Sequence, residues 1–162
     1  QAYHAIAEDL LRERGADTLQ YGPTRGYGPL IETVVPRLRA SGIQCTSDDV
    51  VVTTGSQQGV DLVTRLFVDP GDVVLVELPT FTGAIAAFRS VGAHLVGVRQ
   101  EADGIDLAHL DAMLGAQRAA GRRVKFLYVI PNFQNPTGGL LSLAKRRALL
   151  EWSARTQVLI VE

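Results

Sequence analysis

Cysteine, histidine and lysine are all scarce in this chain. Cys45 is the single cysteine among 162 residues. The sequence therefore allows no internal disulfide and no thiol metal cluster, which fits a reducing, cytoplasmic compartment. The histidines at positions 4, 94 and 109 lack the spacing of metal ligands, so we predict no metal site.

Neither sign of charge dominates, because 16 basic and 17 acidic side chains are mixed along the chain. No basic stripe is present for a nucleic acid, and no charge block suits an acidic membrane surface. No apolar run approaches the length of a membrane span, and no signal-peptide pattern is visible. We predict that this segment binds neither nucleic acid nor membrane.

The chain has the size of one domain or of part of a larger one. Its hydrophobic content of 46% is sufficient for an ordinary globular core. It begins on Gln1 within a helical pattern and ends on the apolar run 158–162. These two ends lead us to expect a fragment.

Short apolar runs alternate with segments of helical periodicity. Strands are predicted at 49–53, 73–76, 94–98, 124–130 and 158–161, and helices at 1–15, 30–41, after Gly55, 81–91, 107–120 and 141–156. Nearly continuous apolar strands separated by helices are typical of parallel sheets that are buried on both faces. The sequence therefore predicts an α/β fold with a mainly parallel sheet and helices on both of its faces.

The most informative turn follows the predicted strand 124–130. Pro131 ends that strand, and the run from Asn135 to Gly138 has the composition of a tight turn. Asn135 should then lie beyond the carboxyl end of a buried strand, where open α/β sheets bind their ligands. A plain connection between a strand and a helix explains the turn alone equally well.

Two further segments follow predicted strands. Residues 53–58 open a helix, where backbone N–H groups and the positive end of the helix dipole suit a phosphate. Ser56 or Gln57 could add a side-chain donor, although a serine before a helix is often only its N-cap. Phe81 would place an aromatic face near the same edge, and a core position is the alternative.

An early loop, residues 21–29, is rich in glycine and tyrosine. It could bring phenols or Arg25 to an interface. A solvated loop with structural tyrosines is the alternative interpretation.

Together these segments resemble the fold type I, class I/II aminotransferases that use pyridoxal phosphate. The closest branch contains 2-aminoadipate and aromatic aminotransferases and the GntR-type regulators that have an aminotransferase-like domain. The resemblance covers nearly the whole chain in the right order. It implies that residues 1–45 form an N-terminal helical segment with an interface loop, and that 46–162 form part of the large, cofactor-binding domain.

The resemblance also implies roles for single residues. Asn135 would donate its amide to the phenolic oxygen of the cofactor and so favour the ionised oxygen. Phe81 would lie against one face of the pyridine ring. The phosphate would be held by Gly55, Ser56 and Gln57.

The resemblance also implies a role for Tyr21 and leaves the catalytic lysine and the aspartate of the family site without a counterpart in this chain. Tyr21 would reach the phosphate of the neighbouring subunit's cofactor, which implies a homodimer. Lys125 and Lys145 do not match the family lysine that bonds to the cofactor, and Glu162 matches the position just before the family aspartate. We therefore predict no catalytic residue within this chain and no activity for the chain alone.

The predicted activity of the parent protein is amino-group transfer between an amino acid and a 2-oxo acid. One alternative is an effector domain of a GntR-type transcription regulator, and a lyase on the same scaffold is another. A plain α/β binding domain, with the motifs present by coincidence, is the third.

Overall fold

A computed structural model describes residues 2–162, and its backbone divides after Thr54 into two compact units. The first unit contains helix α1 (Ala2–Thr18) and helix α2 (Gly28–Ala40), followed by a short 3-10 helix (Ser47–Asp49). Both predicted helices are confirmed, with Gln1 outside the described residues. Helix α1 continues through Gly15, where the sequence predicted its end.

The strand predicted at 49–53 is wrong. Thr46 caps the 3-10 helix, because its hydroxyl accepts from the N–H of Asp48 while its own N–H donates to the Asp49 carboxylate at 2.8 Å. The apolar residues that follow pair with no strand, and Val52 donates its N–H to the carbonyl of Arg25 at 2.9 Å. An apolar run without a neighbouring strand therefore remains irregular here.

The second unit is built on a five-stranded sheet. Its strands are β1 (Val73–Leu78), β2 (His94–Glu101), β3 (Gly104–Ile105), β4 (Val124–Tyr128) and β5 (Leu159–Val161), arranged in the order β3-β2-β1-β4-β5. All neighbours are parallel except the short hairpin of β2 and β3, which the sequence did not predict. The prediction of a mainly parallel sheet is confirmed.

Helices cover both faces of this sheet. They are α3 (Ser56–Phe67), α4 (Thr82–Ser90), α5 (Leu107–Ala119) and α6 (Leu143–Thr156). Alternate residues of β1 separate two buried clusters: Val73 and Leu75 pack with side chains of α5 and α6, whereas Val74 and Val76 pack with α4. On the α4 side, Phe88 meets Tyr128 edge to face, with ring centroids 5.5 Å apart.

The order of the strands determines where a ligand can bind. From β1 the chain proceeds through α4 to β2 on one side, and β4 then pairs with β1 on the other side. The segments that follow β1 and β4 therefore leave the sheet toward opposite faces and open a crevice between two carboxyl ends. Such a switch point is the usual ligand position in open α/β sheets.

None of the helices within residues 2–162 is long and apolar enough to cross a bilayer.

Candidate cofactor-binding site

A cavity of about 410 Å³ lies at the carboxyl ends of β1 and β4. This volume is within the range of small-molecule sites. The cavity is lined by Ser56, Phe81, Tyr128, Val129, Ile130, Pro131, Asn132, Asn135 and Glu162. Three residues that the sequence singled out, in segments far apart along the chain, thus share one cavity.

The remaining predicted residues are placed differently. Gly55 and Gln57 flank Ser56 in the chain but do not line the cavity. Tyr21 belongs to the other compact unit, and its side chain is fully exposed. The predicted contact of Tyr21 with a second subunit remains a prediction.

The N-terminus of α3 has the backbone shape that a phosphate site requires. Gly55 is the N-cap, and its backbone φ of 128° is one that residues other than glycine rarely adopt. No heavy atom lies within 4 Å of the position that a Cβ on Gly55 would occupy, so the backbone is open to close approach. Because Gly55 is the N-cap, Ser56 is the first residue of the helix and does not serve as its cap.

The ring of Phe81 at the start of α4 occupies space that is left by Gly83, a glycine that the sequence did not single out. Phe81 is the N-cap of α4, and its half-buried ring packs at the margin of the core. A Cβ on Gly83 would lie 2.5 Å from Cζ of Phe81 and would also overlap the Gln57 side chain. Gln57 donates its amide to the Gly83 carbonyl at 3.0 Å, which ties α3 to α4 and engages this side-chain donor within the protein.

The turn that carries Asn135 is organised by its neighbour Gln134, which is only 3% exposed. The Gln134 Nε2 donates to the Pro79 carbonyl at 2.8 Å. Its Oε1 accepts from the N–H of Thr137 at 3.0 Å and from the Thr137 hydroxyl at 2.7 Å. One side chain therefore connects the segment after β1 to the turn after β4.

Arg146 holds the beginning of the same turn. Its guanidinium donates to the Pro131 carbonyl at 2.8 Å and to Oδ1 of Asn132 at 2.7 Å. Bonds to two successive residues fix the path of the chain as it leaves β4, and with it the cavity wall that Asn132 forms.

Glu77 is a buried carboxylate beneath the site, 3% exposed. Its Oε2 accepts from the N–H of Ile130 at 2.9 Å and lies 3.4 Å from Nε2 of Gln134. Burial raises the pKa of Glu77, and the hydrogen bonds from Ile130 and Gln134 oppose this increase. A glutamate in an otherwise apolar strand was a signal for such a network, because a buried charge requires partners.

The raised pKa of Glu77 predicts a pH-dependent stability. The native state binds the proton more tightly than the unfolded state, so this contribution is fully present below the ordinary pKa and is lost as the pH rises through the raised one. Relative to Glu77→Gln, the chain should therefore lose free energy of unfolding as the pH increases from about 4 upward. Urea unfolding of both proteins across a pH series measures this, and parallel curves would contradict the assignment.

Both lysines are engaged away from the cavity. Lys125 lies 3.3 Å from the Asp72 carboxylate, and Lys145 lies 2.8 Å from that of Asp103. Burial lowers the pKa of Lys145, but its hydrogen bonds to Asp103 and Glu101 outweigh this effect and raise it. An ammonium group held in this way is a poor nucleophile.

Within residues 2–162, no group of three or more acidic, histidine or cysteine side chains could hold a metal ion.

The sequence profile described as "Aminotransferase class I and II" matches residues 2–161. The chain belongs to this family. Class I and II aminotransferases are thus the family that the sequence motifs predicted, and the resemblance is confirmed.

Individual aminotransferases of this family are similar over almost the whole chain. A 2-aminoadipate transaminase from Thermus thermophilus is 43% identical over 156 residues, which is 96% of this chain. The crystal structure of an α-aminoadipate aminotransferase from the same species, complexed with N-(5'-phosphopyridoxyl)-L-leucine, has a TM-score of 0.85, 42% identity and 96% coverage. The structure of an archaeal alanine:glyoxylate aminotransferase has a TM-score of 0.92, 32% identity and 97% coverage.

These aminotransferases are considerably longer than the chain. It spans 37% of the length of the Thermus transaminase and 38% and 39% of the two crystallised proteins.

Proposed function

We propose that these residues form the phosphate, ring-face and phenolate contacts for pyridoxal phosphate in an aminotransferase. The observation that carries the proposal is the single cavity that joins Ser56, Phe81 and Asn135 at the switch point of the sheet. Pyridoxal phosphate is the cofactor of the class I and II family, and the Thermus relative holds a phosphopyridoxyl compound.

The residues present fit the shape and charge of this cofactor. Its phosphate would lie at the N-terminus of α3, where no side chain obstructs close approach to Gly55 and the helix dipole favours an anion. Ser56 supplies a hydroxyl beside it. The Gln57 contribution comes from its backbone N–H, because its side-chain amide is bonded to Gly83.

Phe81 and Asn135 orient the ring. The aromatic face of Phe81 would lie against the pyridine, and the Asn135 amide would donate to the phenolic oxygen and so favour its ionised form. When bound, pyridoxal phosphate withdraws electrons from the α carbon of an amino acid and so makes its proton acidic. The role of this chain is to keep the ring fixed while that proton is removed.

The partners of the whole protein follow from the family. We propose an amino acid and a 2-oxo acid as substrates, and a homodimer in which the exposed Tyr21 contacts the phosphate held by the other subunit. A single cysteine supports a cytoplasmic location. The relatives described above are all named for amino-group transfer, which favours the enzyme over the effector domain of a GntR-type regulator.

The chain alone is proposed to be inactive. Its two lysines are paired with carboxylates and line no part of the cavity, so neither can bond to the cofactor there. In this proposal the lysine belongs to a longer protein, and residues 46–162 form part of its large domain.

The activity of the full-length protein tests this function. Loaded with pyridoxal phosphate, it should transfer the amino group of 2-aminoadipate or of an aromatic amino acid to 2-oxoglutarate, whereas the 162-residue chain should not. Liquid chromatography of the two products measures the transfer. Cofactor binding without transfer from 2-aminoadipate or from any proteinogenic amino acid would contradict the enzyme and favour the regulator.

A further inference from the structure

We propose that Gln134 is a positioning residue that sets the spacing between Phe81 and Asn135. This inference rests on the proposed function, since it concerns how that site is held together. Gln134 does not line the cofactor cavity, so it would act only through its neighbours.

The two groups it would align stand on separate segments. Phe81 comes two residues after Pro79, at the end of the path from β1, and Asn135 belongs to the turn after β4. Gln134 binds the carbonyl of Pro79 at 2.8 Å with its Nε2 and the N–H of Thr137 at 3.0 Å with its Oε1. The distance between the two segments is therefore set by the length of one planar amide.

The orientation of this amide is fixed by its surroundings. Nε2 faces two acceptors, the Pro79 carbonyl and the Glu77 carboxylate, while Oε1 faces the N–H donor of Thr137. A flipped amide would place oxygen against oxygen and N–H against N–H. Because Glu77 also accepts a hydrogen bond from the N–H of Ile130, the network is anchored to the segment that directly follows β4.

Gln100 supplies a matched control. It donates its Nε2 to the same Pro79 carbonyl at 3.1 Å from β2, but none of its hydrogen bonds reaches the turn that carries Asn135. It does not line the cofactor cavity either. Loss of Gln100 removes a hydrogen bond of the same kind without uncoupling the two segments.

A double-mutant cycle in the full-length protein tests the proposal. The dissociation constant of pyridoxal phosphate is measured by absorbance titration for Gln134→Leu, Gln100→Leu, Asn135→Ala and the double variant Gln134→Leu/Asn135→Ala. We expect Gln134→Leu to weaken binding about tenfold and Gln100→Leu less than about twofold. In the Asn135→Ala background the Gln134 effect should shrink to about twofold, because residues that act through one contact are not additive.

A second signature separates positioning from general destabilisation. If Gln134 acts through Asn135, then Gln134→Leu should also raise the pH midpoint of the bound cofactor's absorbance change, whereas a merely structural loss leaves that midpoint unchanged. Should Gln134→Leu fail to fold, Thr137→Val removes the hydroxyl bond to Oε1, together with the longer bond of 3.3 Å that this hydroxyl accepts from the N–H of Gly139. This variant is expected to weaken binding about threefold.

The outcomes are distinct. The positioning role is overturned if Gln134→Leu changes the dissociation constant equally with and without Asn135, or if Gln134→Leu and Gln100→Leu change it equally. In either case, weaker cofactor binding by Asn135→Ala would still support the proposed function. Absence of saturable cofactor binding in the unmodified protein overturns both.

Discussion

Replacement of Asn135 by alanine is expected to weaken pyridoxal phosphate binding to the full-length protein by about tenfold to a hundredfold. The variant removes a hydrogen bond to an ionised oxygen, which contributes about 1.5–3 kcal/mol. It also removes a donor that favours the ionised phenolic oxygen. The pKa of that oxygen should therefore rise, and with it the pH midpoint of the cofactor's absorbance change.

The matched control for Asn135 is another amide side chain. Gln117 lies on α5, is partly buried and accepts a hydrogen bond from Arg122 outside the cavity. Gln117→Ala should leave both the affinity and the pH midpoint unchanged. An Asn135→Ala protein with the affinity and midpoint of the unmodified protein would show that the turn does not contact the cofactor.

Replacement of Gly83 by alanine is expected to weaken cofactor binding by about fivefold to twentyfold while changing the overall stability little. The new methyl group would lie within 2.5 Å of the Phe81 ring and would overlap the Gln57 side chain, so both must move. A displaced Phe81 loses its stacking on the pyridine face, and a displaced Gln57 releases the start of α3. The higher helix propensity of alanine, about 1 kcal/mol, offsets part of the strain in α4.

Gly115 is the control for this change. It also lies within a helix, but no heavy atom is within 4 Å of the position of its added Cβ. Gly115→Ala should keep the cofactor affinity and increase the free energy of unfolding by up to about 1 kcal/mol. The two variants are compared by absorbance titration and by urea unfolding. Equal cofactor affinities would contradict the role of Gly83 in placing Phe81.

Much of the fold was predictable because its signals are local and repeated. Apolar runs such as Val73–Val76 and the helical periodicity between them identify a parallel sheet with helices on both faces, and the structure confirms it. The strand expected at 49–53 was wrong, because β-branched residues favour a strand only where a neighbouring strand accepts their hydrogen bonds. Thr46 instead begins a capped 3-10 turn, and capping signals compete with apolar patterning over so short a range.

Three of the predicted site residues line the candidate cavity, but the hydrogen bonds that support it could not be predicted from the sequence. Ser56, Phe81 and Asn135 follow strands or open helices, so motif order alone indicated that they belong at one edge of the sheet. The hydrogen bonds that Gln134 donates to the Pro79 carbonyl and that the N–H of Ile130 donates to Glu77 join residues more than 50 positions apart. Such pairings depend on the register of β1 against β4, which no local pattern in the sequence specifies.

A titration of pyridoxal phosphate into the full-length protein, with and without inorganic phosphate, tests most directly whether the cavity binds the cofactor. We expect saturable binding with a change in cofactor absorbance, and competition by inorganic phosphate at the N-terminus of α3. Asn135→Ala should bind the cofactor more weakly, with unchanged competition by phosphate. Binding that neither phosphate nor the Asn135 variant affects would contradict the claim that Ser56, Phe81 and Asn135 form one cofactor site.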